Sequence, residues 1–163
     1  MIFMSLYIIM QKSVWGPATW KLLHCMVLNA NNDIQPSQLI DLKNIILRIV
    51  SNLPCPYCTS HAINHISKSN FNNIQNINDL RVFIFQFHNK VNQQLNKKLI
   101  TYEEHNDIMC KLNFKQVIID FINIYQSKNA GVTMMLYNFH RKLMVQDMYK
   151  YFKLNSKVFN LAG

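Results

Sequence analysis

The sequence predicts an all-α fold, on the evidence of its composition and of the spacing of its apolar residues. Only three glycines and four prolines occur among 163 residues, too few for the many turns of an all-β fold. Half of the residues are hydrophobic and 15% are charged, which favours a packed core over disorder. The length fits one domain better than two. Helical periodicity recurs along most of the chain.

The first predicted helix begins near Ser13 and includes "VWGPATWKLLHCMVLNA". Trp20 and His24 lie one turn apart in it, and Pro17 is tolerable in a first turn. The Asn, Asp and Pro residues of "NANNDIQPS" then predict a loop.

A second helix is predicted from the apolar residues between Leu39 and Val50, which are spaced by three and four. Ser37 is its expected N-cap, and Pro54 is expected to end it. A short third helix is predicted to begin at Cys55 or Pro56 and to run to about residue 67.

A fourth helix is predicted from Asp79 to about "NKK", with Phe83, Phe87 and Val91 on one apolar stripe. Thr101 and Glu104 have the spacing of a capping box. Two more helices follow, in "FKQVIIDFINIYQ" and "YNFHRKLMVQDMYKYFKL", separated by "SKNAGV". We expect a four-helix core domain at residues 13–112 and a helical extension at residues 113–163. The extension could pack on the core, enlarge a dimer contact or dock a substrate, and we favour packing on the core.

The net charge of +9 permits binding to nucleic acid, but the basic residues are scattered. A solvated surface or a cofactor phosphate site explains them equally well, and we expect no nucleic-acid partner. The apolar start "MIFMSLYIIM" is about half as long as a membrane span and lacks the features of a signal peptide. We expect a soluble chain without a membrane span, and Met10 is a candidate alternative start.

The stretch "LPCPYC" places Cys55 and Cys58 three residues apart at the predicted start of a helix. Two such cysteines can form a redox-active disulfide, because the free N–H groups of a helix N-terminus favour a thiolate. The alternatives are half of a zinc site and two buried thiols that act as small apolar groups. A thioredoxin-like fold requires strands around the motif, and none are predicted.

His61 and His65 follow the two cysteines and extend the zinc alternative. Cys58 and His65 are about 10 Å apart along a helix, whereas ligands of one tetrahedral zinc lie roughly 3 to 4 Å apart. The four side chains therefore cannot all bind one metal without breaking the helix, and we assign no metal ligands. A three-ligand site with one borrowed group is a minor alternative.

Two predicted helices carry rings and amides that are suited to a planar heterocycle with a phosphate tail. Each of these residues alone is well explained as a polar group at the edge of the core. Together they form one face with lysines at its far end. Its members are Trp20 and His24 on the first helix, His88, Asn89, Val91, Asn92 and Leu95 on the fourth, and Lys97 and Lys98 beyond them.

The motifs "WGPATWKLLH", "LPCPYCTSH" and "FHNKVNQQLNKKLITYEE", in this order, resemble the Erv/ALR family of FAD-linked sulfhydryl oxidases. The resemblance covers residues 15 to about 105 and is closest to the minimal virus-encoded members. It implies a four-helix bundle that holds FAD at its mouth, with Cys55–Cys58 beside the flavin. It also implies that Cys58 makes the charge-transfer contact with the isoalloxazine and that Cys55 exchanges with the substrate dithiol.

The resemblance further implies the cofactor site and the partners. The expected electron donor is a partner protein with a dithiol, the acceptor is O2, the product is hydrogen peroxide, and the expected assembly is a homodimer. The FAD-binding positions that it implies are Gly16, Trp20, His24, His88, Asn89, Val91, Asn92, Leu95 and Lys97, with Lys98 and Tyr102 as further members.

Many cellular members carry a shuttle dithiol and a structural disulfide, whereas only Cys25 and Cys110 remain here. We expect Cys25 to be a buried small residue and favour an inert role for Cys110 over a free thiol with a function or an intermolecular link. The excess of Asn, Ile and Lys indicates a large DNA virus and hence the cytoplasm of an infected cell, or the virion. The competing hypotheses are a non-enzymatic module that binds metal or nucleic acid, and an interaction protein with a vestigial flavin pocket.

Overall fold

The computed structural model of the chain describes residues 11–126, 132–159 and 161, and within them the fold is all-α as predicted. The described residues contain no strand, only an isolated bridge between Ala30 and Phe159. Short 3-10 turns lie at Phe71–Asn73 and Ser156–Val158. The helices are α1 (Lys12–Asn29), α2 (Pro36–Val50), α3 (Pro56–Ser67), α4 (Ile77–Gln94), α5 (Tyr102–Met109), α6 (Phe114–Gln126) and α7 (Val132–Leu154).

The predicted capping chemistry is confirmed where side chains fix the start of a helix. The Thr101 hydroxyl accepts the Glu104 N–H and the Glu104 carboxylate accepts the Thr101 N–H, both at 3.2 Å. Helix α3 begins at Pro56 and ends at Ser67, as predicted. The predictions for residues 1–10 and for most of "SKNAGV" lie outside the described residues.

The predicted cap of α2 was wrong. The N-cap is Gln35, whose backbone N–H donates to the Gln38 side chain at 3.0 Å. Pro36 occupies the first helical position, where its fixed φ fits and its missing N–H costs nothing. The helix ends at Val50, so Pro54 is not the residue that ends it.

The predicted start of α4 was two residues too late. Its N-cap is Asn76, and the Asn76 side chain accepts the Asp79 N–H at 2.8 Å. Asp79 therefore lies in the first turn, where a carboxylate interacts favourably with the helix dipole.

Helix α1 lies at the centre of the packing and contacts both α4 and α6. The Thr19 hydroxyl and the Tyr125 phenol are 2.6 Å apart and buried, and they join α1 to α6. Phe121 of α6 and Met144 of α7 are fully buried in the same hydrophobic core as Leu22 of α1. The segment after residue 112 thus packs against the core. The division of the chain into a core domain and a C-terminal extension stays a prediction.

Arg81 of α4 holds the C-terminal end of α1. Its guanidinium donates to the carbonyl of Val27 at 2.9 Å and to that of Ala30 at 2.8 Å. Carbonyls at the end of a helix have no partner within the helix, so an outside donor stabilises them. This clamp fixes α1 against α4, the two helices that carry most of the predicted cofactor residues.

We expect Arg81→Ala to lower the free energy of unfolding by about 2–3 kcal/mol, because two carbonyls lose a charged donor. Arg48→Ala is the control: Arg48 pairs with Asp147 at 3.1 Å on the surface, where an ion pair contributes less than about 1 kcal/mol. Urea denaturation of both variants measures the difference. Equal losses of unfolding free energy in the two variants would contradict the proposal that Arg81 stabilises the end of α1.

None of the helices in the described part of the chain is both long enough and apolar enough to span a bilayer.

Candidate functional site

Cys55 and Cys58 form a disulfide at the start of α3. Cys55 is the N-cap in extended conformation, and its sulfur accepts the backbone N–H of Cys58 at 3.1 Å. Both cysteines are half-buried, and Tyr57 between them is 72% exposed. The sulfurs thus lie at a helix N-terminus close to solvent, where the dipole and the free N–H groups favour a thiolate after reduction.

The disulfide excludes the alternative of two separate buried thiols at these positions. It also occupies the sulfurs that the zinc alternative would need. His61, one turn further along α3, is exposed and lies against the ring of Tyr57 at a centroid distance of 4.2 Å. His65 instead stacks on Phe87 of α4. The Cys and His residues of "CPYCTSHAINH" therefore do not converge on one metal.

Helices α1 and α4 bring three of the predicted cofactor residues together. The rings of Trp20 and His88 stack at 4.1 Å and are nearly parallel, with 9° between their planes. His24 Nε2 lies 3.0 Å from His88 Nδ1, so one imidazole donates a hydrogen bond and the other accepts it. The one-turn spacing of Trp20 and His24 puts both on the face of α1 that meets α4.

His105 of α5 completes this group, although the sequence did not suggest it. Its ring lies edge-on to that of His24 with centroids 3.8 Å apart. Its side chain is buried and its Nε2 has no hydrogen-bond partner. The signal that could have found it is the capping box at Thr101, which sets the start of α5 and puts Tyr102 and His105 on one face of that helix. We call His24, His88 and His105 the histidine cluster.

The histidine cluster is electrically neutral at neutral pH. Burial, with smaller contributions from His105 and His88, lowers the pKa of His24 to about 2. Burial, followed by His105 and Lys97, lowers the pKa of His88 to about 4. Burial also lowers the pKa of His105. Removing an imidazolium from water disfavours its charge, so each ring retains a lone pair that can accept a hydrogen bond or bind a metal.

Aromatic contacts connect the helix of the disulfide to this region. The His65 ring of α3 stacks on Phe87 at 4.8 Å, and Phe87 meets the edge of Trp20 at 5.3 Å. A small cavity of about 150 Å³ lies between α3 and α4, with Val91 in its wall and Lys68 and Lys90 among its lining residues. Val91, another predicted FAD-binding position, thus lies on the side of α4 that faces α3, the helix that begins at the disulfide.

Other predicted residues have structural contacts of their own. The Asn89 amide donates to the carbonyl of Ile100 at 2.8 Å and its oxygen accepts the Ile100 N–H at 3.3 Å, which holds the loop before α5. Tyr102 packs edge-on against Phe85 at 5.2 Å. Asn92 is buried. Gly16 is half-buried, and a Cβ there would meet only the Lys12 side chain, at 3.9 Å, so the space beside it is open.

The remaining predicted positions lie at the C-terminal end of α4. Leu95 caps the helix, and Asn96 follows in the left-handed conformation with φ of 53°. The Lys97 N–H then donates to the Asn92 carbonyl at 2.8 Å, which closes the helix end as in a Schellman motif. Leu95, Lys97 and Lys98 are exposed.

The two remaining cysteines, Cys25 and Cys110, lie in different environments. Cys25 is fully buried, as expected, and burial raises the pKa of its thiol to about 11. Cys110 is free and exposed at the end of α5. Neither takes part in a disulfide.

The chain is similar to known proteins over the region that contains this site. The sequence model of the Erv1 / Alr family matches residues 17–117. The FAD-linked sulfhydryl oxidase of African swine fever virus is 30% identical over 116 residues in a Kenyan pig isolate, covering 69% of this chain and 97% of the relative. That of a Malawian tick isolate is 32% identical over 117 residues, covering 72% and 93%. No solved structure matches the chain. With the family match extending over more than half of its length, the chain belongs to the Erv1 / Alr family.

Proposed function

We propose that this chain is an FAD-dependent sulfhydryl oxidase that forms disulfides in partner proteins and passes the electrons through Cys55–Cys58 and FAD to O2. The observation that carries the proposal is a disulfide at a solvent-accessible helix N-terminus in a chain of the Erv1 / Alr family. The viral relatives are named FAD-linked sulfhydryl oxidases.

The residues of the site fit FAD, whose two planar ring systems are joined by a diphosphate. Trp20 and His88 offer flat rings, and the neutral imidazoles offer hydrogen-bonding nitrogens. The open space beside Gly16 admits a ligand close to the backbone of α1. Lys97 and Lys98 supply positive charge that suits a diphosphate. The full set proposed to bind FAD is Gly16, Trp20, His24, His88, Asn89, Val91, Asn92, Leu95, Lys97, Lys98 and Tyr102.

The exchange step follows from the chemistry of Cys55 and Cys58. A substrate thiolate attacks the Cys55 sulfur, the Cys55–Cys58 bond breaks, and its electron pair goes to Cys58 as a thiolate. The second substrate thiol loses its proton and attacks the mixed disulfide at the substrate sulfur, which releases Cys55. The substrate leaves as a disulfide, and the enzyme pair has gained two electrons. The Cys58 N–H stabilises the Cys55 thiolate as it is released, because it donates to that sulfur.

Cys58 is proposed as the sulfur nearest the flavin. When bound, FAD accepts the two electrons of the reduced pair and delivers them to O2, which gives hydrogen peroxide. The protein's part is to hold one sulfur at the ring and the other towards solvent. The half-buried state of both cysteines is compatible with this division.

A partner protein with its own dithiol is the proposed electron donor, because the two remaining cysteines are unpaired. A homodimer and a place in the cytoplasm of infected cells or in the virion are further parts of the proposal, supported by the family and by the viral relatives. The cytosol is reducing, so a disulfide pathway there needs a dedicated oxidase. No nucleic-acid partner is proposed.

The purified chain is expected to be yellow, to carry about one FAD per chain and to consume O2 when given dithiothreitol. An absorption spectrum and an oxygen electrode measure both properties. Colourless protein with zinc held by Cys55 and Cys58 would instead support a metal-binding module. Yellow protein that is inert towards thiols would support an interaction protein with a vestigial flavin site.

A further inference from the structure

We propose that His24, His88 and His105 form a binding site for a divalent transition metal ion of the Zn²⁺ type. The three side chains come from α1, α4 and α5, and one nitrogen from each lies within 4.8 Å of the other two. Among the described residues this is the one group of three or more His, Cys, Asp or Glu side chains that converges so closely. Three imidazoles with a fourth position left for water are a common ligand set for zinc.

The His24 and His88 nitrogens are already close to the spacing of zinc ligands, whereas the His105 nitrogen, within 4.8 Å of them, would move closer on binding. Zinc binds imidazole nitrogen at about 2.0–2.1 Å, which places two ligands of a tetrahedral ion roughly 3.3 Å apart. His24 Nε2 and His88 Nδ1 are 3.0 Å apart and share one proton. A metal ion can take the place of that proton once the proton moves to the other nitrogen of the donor ring, and these two nitrogens then need to separate by only a few tenths of an ångström.

His105 is the residue that points to a ligand. It is 3% exposed, and its Nε2 has no partner in the protein. A buried polar atom without a partner destabilises the fold, and a bound ligand would remove that cost. A hydrogen bond from a flavin would satisfy this nitrogen alone, whereas a metal ion also accounts for three imidazole nitrogens lying within 4.8 Å of one another.

The chemistry of the cluster suits zinc or a similar borderline ion. Imidazole prefers Zn²⁺, Cu²⁺, Co²⁺ and Ni²⁺, and no carboxylate belongs to the group, so Mg²⁺ and Ca²⁺ are disfavoured. The burial that keeps the three rings neutral leaves their lone pairs available to a metal ion.

A metal at this site would compete with the cofactor. His24 and His88 are among the residues proposed to bind FAD, so one imidazole nitrogen cannot serve both ligands. This competition rests on the proposed function, whereas the metal site itself rests only on the geometry of the cluster. Zinc would then regulate how much of the enzyme carries flavin.

The test uses the full-length chain without a histidine tag, in a Cys55→Ser/Cys58→Ser background that removes the thiols of the disulfide as metal ligands. Zn²⁺ content after equilibrium dialysis of the flavin-free protein is expected to be about one per chain, and Co²⁺ is expected to give the intense visible bands of a tetrahedral site. His105→Phe keeps a flat ring and removes the nitrogens. The substitution should lower the affinity for zinc at least roughly 10- to 100-fold, the loss of metal affinity that follows removal of a residue hydrogen-bonded to a metal ligand.

His61→Phe is the matched control, because His61 is an exposed histidine outside the cluster, and it should bind zinc like the parent. Circular dichroism checks that each variant is folded. Zinc binding that is unchanged in His105→Phe, or less than stoichiometric in a folded parent, would overturn the proposal.

The wild-type holoprotein provides a second measurement. Excess Zn²⁺ should release FAD from it, and the His105→Phe variant should resist that release. Stoichiometric zinc in a chain that never binds FAD would leave the metal site standing and refute the flavin site. A chain that binds FAD but no zinc would refute the metal site and leave the flavin site standing.

Discussion

Cys58→Ser is expected to keep its FAD and to lose O2 consumption with dithiothreitol by about a thousandfold or more, on the scale by which loss of a nucleophile disables covalent catalysts. A serine hydroxyl can form no disulfide, so the remaining Cys55 has no partner that can carry the electron pair onward. The flavin should stay bound, because the rings and amides proposed to hold it lie on α1, α4 and α5 rather than on α3. Flavin absorbance and oxygen uptake measure the two outcomes on one sample.

Cys110→Ser is the matched control for Cys58→Ser, since Cys110 is a free, exposed cysteine outside the proposed site. It should oxidise dithiothreitol at the parent rate. Mass spectrometry should detect a mixed disulfide between Cys55 and a protein dithiol in Cys58→Ser, because the resolving partner is missing. An active Cys58→Ser variant would remove Cys58 from the electron path, and an inactive Cys110→Ser variant would give Cys110 a role that we do not assign.

The double substitution His88→Ala and Asn92→Ala is expected to leave the purified protein almost colourless. His88 is the ring that stacks on Trp20, and Asn92 is a buried amide one turn further along the same helix. Losing a stacking ring and a buried polar group should cost at least about 2.7 kcal/mol of binding free energy, or a 100-fold weaker affinity. Flavin content per chain after gel filtration, and titration of the flavin-free protein with FAD, measure the loss.

The control for this pair is the double substitution Gln86→Ala and Gln93→Ala. Both side chains are exposed on the same helix. The control should retain full FAD content, which separates loss of the site from general weakening of α4. Folded His88→Ala/Asn92→Ala protein with undiminished FAD would place the cofactor elsewhere.

The sequence predicted the parts of the fold that depend on local chemistry. The proline-flanked start of α3 and the Thr101 capping box follow from interactions within four residues, and both are as predicted. The cap of α2 was misjudged because serine is the more common N-cap, whereas here Pro36 takes the first helical position and leaves Gln35 to cap. The preference of a residue type is overridden when a neighbour fixes the backbone.

The site was predictable to the extent that it lies on single helices. Trp20 and His24 share a face of α1 because they are one turn apart, and that spacing is visible in the sequence. His105 was missed because its position depends on how α5 packs beside α1, a contact between segments far apart in the chain. Helix α5 is also short and mostly polar, so periodicity gives little indication of which side is buried.

Because α6 packs along α1, the helix that presents Trp20 and His24 is also supported by the C-terminal part of the chain. Shortening the protein to end before α6 would remove the Tyr125 phenol that pairs with the buried Thr19 hydroxyl, and would loosen the helix that carries both rings. Laboratory work on this oxidase should therefore keep the polypeptide whole.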